Sequence, residues 1–143
     1  MPRRTILCLA AVVLSLAFAP APFPRERHRN DPTAVTGTWQ FVRWEVSGLS
    51  TQATYTVEMS RDKFDFVAIS GPARTHYEMR LFPDKTPHAF EWRMNGLARY
   101  VGSYRLKGDE MTMIFASGSQ LERRPTDFSA RTPYRFVLRR MKR

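Results

Sequence analysis

The chain has 143 residues, of which 43% are apolar, 13% aromatic and 25% charged, enough to close one hydrophobic core and too few for a second domain. The 7 Gly and 10 Pro are scattered and no internal repeat emerges, so collagen-like and solenoid architectures are excluded. With 23 Lys+Arg against 13 Asp+Glu the formal net charge is +10, which favours association with acidic partners and says nothing of chemistry.

Arg3 and Arg4 precede an uncharged, apolar run from Thr5 to Ala19. A basic n-region and a short h-region in this order predict a secretory signal peptide over 1–19, too short to span a bilayer, with cleavage expected after Ala17. The expected compartment is therefore periplasmic or extracellular, with no transmembrane anchor after processing. Cys8, the single cysteine, lies inside the h-region. The mature chain then folds without disulfides, and its core must suffice. Residues 20–36 hold Pro20, Pro22, Pro24 and Pro32 among charged residues without periodicity, the composition of a flexible tether.

From Gly37 to the C-terminus, over 37–143, short runs rich in aromatic and β-branched residues are broken by regular turn signals. Eight strands are predicted: Gly37 to Val46, Thr54 to Ser60, Lys63 to Ser70, Thr75 to Leu81, Ala89 to Met94, Ala98 to Lys107, Met111 to Ala116 and Tyr134 to Arg140. Arg61-Asp62, Gly71-Pro72, Pro83-Asp84-Lys85, Asn95-Gly96 and Gly108-Asp109 supply the turns. A turn or single helical turn is expected at Ser47 to Ala53 and again near Arg124 to Phe128.

Period-2 alternation selects the core: Phe64 with Phe66; Tyr77, Met79 and Leu81; Phe90, Trp92 and Met94; Tyr100 and Tyr104 around Gly102; Met111, Met113 and Phe115; Phe136 with Leu138. Their alternates, such as Asp65, Glu78, Arg80, Glu91, Arg93 and Arg105, are charged. One-sided strands of this kind suit an all-β, eight-stranded antiparallel barrel, a size whose interior is either filled or holds one small ligand.

Gly37-Thr38-Trp39 at the start of the first strand is similar to the lipocalin signature. With Gly48, Asp84-Lys85-Thr86-Pro87, the run Tyr104-Arg105-Leu106-Lys107-Gly108-Asp109-Glu110-Met111-Thr112 and Arg124-Pro125-Thr126-Asp127-Phe128, the order of motifs resembles a lipocalin-like domain family of exported planctomycete proteins over Val35 to Arg140. The resemblance implies a fold and carries over no ligand or catalytic residue. It also implies that Trp39 plugs one barrel end beneath a basic residue near the last strand: Arg139, Arg140 or Arg124. Many relatives carry a cysteine near Ile114-Phe115-Ala116, where this chain has none, so no thiol-based role is expected.

His28, His76 and His88 stand at no metal-ligand spacing, and no nucleophile elbow, phosphate loop or dinucleotide fingerprint occurs. Neither cofactor, metal nor catalysis is expected. Nucleic-acid binding is set aside because the aromatics alternate inward instead of interleaving with arginines on the surface. The expected function is an exported non-catalytic domain that binds a small apolar or amphipathic ligand, with Tyr77, Trp92, Tyr100 and Tyr104 lining the site. The alternative is a structural or interaction domain of the cell envelope whose barrel is filled. The basic exterior reads first as a solvated face, with an anionic envelope component as its candidate partner.

Overall fold

A computed structural model describes residues 32–118, 122–129 and 131–142; the expected signal peptide and most of the expected tether lie outside them. A 3-10 turn at Pro32–Val35 leads into nine strands: β1 Gly37–Val46, β2 Leu49–Thr51, β3 Tyr55–Met59, β4 Lys63–Ala68, β5 Arg74–Phe82, β6 His88–Met94, β7 Leu97–Lys107, β8 Glu110–Ser117 and β9 Tyr134–Arg140. All pairings are antiparallel, and β1 closes the sheet by pairing with β9 from Trp39↔Arg140 to Val46↔Tyr134. The result is a closed eight-stranded up-and-down barrel plus one extra strand, β2.

The turn chemistry accounts for the hairpins. Asn95 (φ 52) and Gly96 (φ 75) form a two-residue connection between Met94 and Leu97, the geometry that a right-twisted hairpin favours. The same device appears where a single helical turn was one expectation. Ser47 (φ 51) and Gly48 (φ 80) both take positive φ, and the chain folds back as β2 instead. Strands β2 and β3 thus share one edge of β1: β2 pairs with Trp44 to Val46 and β3 with Gly37 to Gln40.

The core follows the alternation closely. Phe64, Met79, Phe90, Trp92, Tyr104, Met111, Met113, Phe115, Phe136 and Leu138 are buried, with Phe66, Tyr77, Leu81 and Tyr100 packed against them. At Gly102 the backbone itself is tight. A Cβ there would stand 2.3 Å from the Ile114 carbonyl oxygen and 2.7 Å from the Phe90 ring, so only glycine fits between those aromatic layers.

Near Arg124 to Phe128, where a turn or single helical turn was expected, no helical turn forms, and Ser129 N–H donates to Asp127 Oδ1 in a local turn. Residues 122–129 run irregularly as a strap across the outside of β7 and β8. Arg124 donates to the Pro87 carbonyl (3.0 Å) and to Ser103 Oγ (2.7 Å), Ser103 Oγ donates to the Pro125 carbonyl, and Arg135 donates to the Phe128 carbonyl (2.7 Å). The guanidinium of Arg105 lies 4.6 Å from the Phe128 ring. This cover explains why outward-facing Ser103 and Ile114 are fully buried. Elsewhere the outer wall carries Glu58, Glu78, Arg80, Glu91 and Arg93, incompatible with the apolar outer band of a membrane-spanning barrel.

Candidate functional site

The connections fall at two ends. The turns at 60–62, 83–87 and 108–109 lie at one, with the 3-10 turn; those at 47–48, 69–73 and 95–96 lie at the other. The first end is sealed. Trp39 is completely buried, its indole N–H donates to the Val35 carbonyl at 2.9 Å, and Arg140 lies 4.3 Å from the ring centroid. Of the three basic candidates the register selects Arg140, because it stands opposite Trp39 on the same face, whereas Arg139 stands opposite Gln40. Arg124 is engaged in the strap. Arg140 also donates to the carbonyls of Ala34 and Thr36. The 3-10 turn, in the stretch read from sequence as tether, is thereby part of the seal, with Val35 buried against the core.

The opposite end holds a cavity of about 240 Å³. Its floor is Trp92, Phe115, Phe66 and Phe136, whose rings touch, with Trp92 to Phe115 centroids 4.8 Å apart and Phe115 to Phe136 also 4.8 Å. Its walls include Trp44, Tyr55, Tyr77, Tyr100 and Tyr134. Tyr100 stands between two other phenols, 5.9 Å from Tyr77 and 5.8 Å from Tyr134 by ring centroids. Burial, followed by those two neighbours, raises its pKa above the ordinary tyrosine value. The Tyr100 phenol therefore stays neutral at physiological pH, able to donate and to accept hydrogen bonds.

Among the described residues no charged side chain lines this cavity. Bringing an ionised group to the floor would cost its hydration without a counter-charge. The buried indole N–H of Trp92 has no acceptor among the described residues, and buried donors are ordinarily satisfied by a partner or by water.

Three of the four ligand-lining residues read from sequence, Tyr77, Trp92 and Tyr100, are brought together here. Tyr104 is not among the lining residues. It is buried deeper on β7, near the Phe90 ring and 5.4 Å from the His88 ring, and burial pushes its phenol up to about 12. Trp44 escaped the alternation argument. Strict period 2 from Trp39 would send Arg43 and Glu45 inward, but a register shift between Phe41 and Arg43 leaves Val42 half-exposed and turns Trp44 into the barrel. A bulge has no side-chain signature here.

Cross-strand register likewise creates an unforeseen polar cluster on the outer wall. Asp65 stands opposite both Glu58 and His76; its carboxylate meets His76 Nδ1 at 2.5 Å and accepts from Arg74 at 2.8 Å, and Arg74 also pairs with Glu58 at 3.0 Å. A second recess, about 390 Å³ beside the strap, is bordered by Arg123, Arg124, Asp127 and Arg131, but Arg124 is already committed to Pro87 and Ser103. The aromatic cavity is the better-formed site because its walls are the barrel strands themselves. Compared with family models, curated proteins and solved structures, the chain matches none.

Proposed function

We propose that this chain is an exported, non-catalytic carrier or sensor that holds one small, uncharged, apolar or weakly amphipathic molecule in the open end of its barrel. The cavity carries this reading: about 240 Å³ of space walled by aromatic rings and neutral phenols. Size narrows the guest. An apolar cavity of about 150 Å³ takes benzene, and typical drug-sized pockets begin near 300 Å³. A one- or two-ring aromatic or a medium-length chain fits these limits; a long-chain fatty acid does not fit inside. The charge-free lining disfavours a carboxylate at depth, and the net charge of +10 disfavours the organic cations that aromatic walls otherwise attract. An acceptor on the guest is suited to the phenols and to the unpaired indole N–H of Trp92.

The alternative of a filled envelope domain fits the sealed half of the barrel and leaves the cavity without a role. The test is fluorescence titration with N-phenylnaphthylamine and competition by 1-naphthol and by octanoate. Saturable binding weakened by Tyr100→Phe and reversed more readily by naphthol than by octanoate is expected. Absence of any saturable binding, with no small molecule seen by native mass spectrometry of protein from its own host, would leave the filled-barrel domain. N-terminal sequencing of protein recovered outside the cytoplasm tests the export half of the proposal; an intact Met1 end on cytosolic protein would refute it.

A further inference from the structure

The two ends differ in their turns as much as in their interiors. Each closed-end turn carries a carboxylate: Asp62, Asp84, and Asp109 beside Glu110. Among the open-end connections, the one from β8 to β9 carries Glu122 and Asp127 in the strap, and those at 47–54, 69–74 and 95–99 carry none. Instead three of them present a bare aliphatic side chain: Leu49 is 72% exposed, Ile69 66% and Leu97 61%. Single exposed apolar residues are ordinary on any surface. Three on the rim of one mouth, each from a different hairpin, are not scattered, and the three other large exposed apolar residues, Val42, Phe82 and Met141, are all less exposed.

Charge on the three hairpin tips has one sign, and Asp127 borders the recess that Arg131 shares. Arg99 and Arg131 are exposed there, while Arg74 is neutralised by Asp65 and Glu58. The nearest carboxylate on β1, Glu45, is paired with Arg43 at 3.4 Å.

We infer that the open end is a docking face for an anionic phospholipid bilayer, with Leu49, Ile69 and Leu97 entering the interface as shallow anchors and Arg99 and Arg131 lying at the headgroups. The pairing of aliphatic tips with flanking cations, on hairpins that carry no acid, matches what an interfacial binder presents to such a surface. An aqueous protein partner would more often be met by aromatic anchors in a continuous patch, which these separated tips do not form. This inference rests on the rim and goes beyond the ligand reading, without requiring it. Docked in this way, the cavity mouth would face the lipid.

Residues 5–19 are apolar enough to hold the full chain on lipid by themselves, so the experiment must read position and not total binding. In full-length Cys8→Ser protein, an environment-sensitive fluorophore is placed on Ile69→Cys or Leu97→Cys at the mouth, and on Lys85→Cys or Lys107→Cys at the closed end. Vesicles contain nitroxide-labelled lipid, either in pure phosphatidylcholine or with phosphatidylglycerol. Quenching of at least about twofold at the mouth positions is expected on phosphatidylglycerol vesicles, reduced by salt and by the double change Arg99→Gln with Arg131→Gln, and little is expected at the closed end. Equal quenching at both ends, none at either, or no dependence on anionic lipid overturns the inference. So does shielding of the mouth labels that rises with protein concentration without vesicles, which would mean that a second copy covers the rim. Naphthylamine binding without mouth quenching would retain the ligand site and discard the docking face; the reverse pattern would do the opposite.

Discussion

At one end of the barrel Trp39 is wholly buried beneath Arg140 and hydrogen-bonded to Val35, while further along the same strand Trp44 borders open space. The residue types are alike and the strand is continuous. What differs is what lies over each ring. The closed end has a 3-10 turn locked down by a guanidinium that reaches two backbone carbonyls, and Trp44 at the open end borders a cavity instead. Burial of an aromatic is thus decided by the cap and not by the strand, and the sealed core and the cavity are segregated to opposite ends.

The largest test of that segregation is Trp39→Ala, which should cost about 3–5 kcal/mol, as truncation of a fully enclosed large aromatic does. Denaturant unfolding measures it, and a midpoint equal to the parent would show that the plug does not hold the fold. Trp44→Ala should cost less, about 1–3 kcal/mol, because its ring is only partly withdrawn from water; it should also enlarge the cavity and shift naphthylamine affinity. If the two truncations cost the same, the ends are not energetically distinct. Arg140→Leu should cost about 1–2 kcal/mol through the lost cation–π contact and carbonyl bonds, with the 3-10 turn becoming sensitive to proteolysis.

The smallest effect is one of pH. The Tyr104 phenol is held up to about 12 by burial, against about 10 in an unfolded chain. Between these values the unfolded state gives up its proton first. The stability that depends on a neutral Tyr104 is therefore complete below about pH 10 and is lost as pH rises toward about 12. Tyr104→Phe should flatten the alkaline limb of the stability profile, and tyrosinate absorbance should show one phenol ionising only with unfolding.

Much of the barrel was legible because its turns declare themselves in single residues. Asn95-Gly96 fixes a hairpin by the φ > 0 that those residues tolerate, and alternation within each strand assigns Phe90 with Trp92 and Tyr100 with Tyr104 inward, although a register shift between Trp92 and Arg93 separates both pairs from the turn. Three features were not legible, for one reason: each depends on register or on contact between distant segments. The bulge that turns Trp44 inward moves the period by one residue with no compositional mark. The pairing of Asp65 with His76 exists only after β4 and β5 are aligned. Ile114 and Ser103 read as outward positions, and they are buried because a strap from another part of the chain lies over them.

The seam between β1 and β9 has a consequence for how the molecule comes into being. A ring of strands has no free edge only once its last strand has arrived, and here the closing strand, Tyr134–Arg140, is the last of the described strands. Until it docks, both β1, with Trp39, Phe41 and Trp44 on one face, and β8 present unpaired backbone, the kind of edge that invites pairing with a neighbouring molecule. Closure joins residues about a hundred positions apart, so it is also among the slowest contacts to earn its loop entropy. Loss of Tyr134–Arg140 would accordingly do more than shorten the protein: it would unzip the ring into an open sheet with two sticky margins.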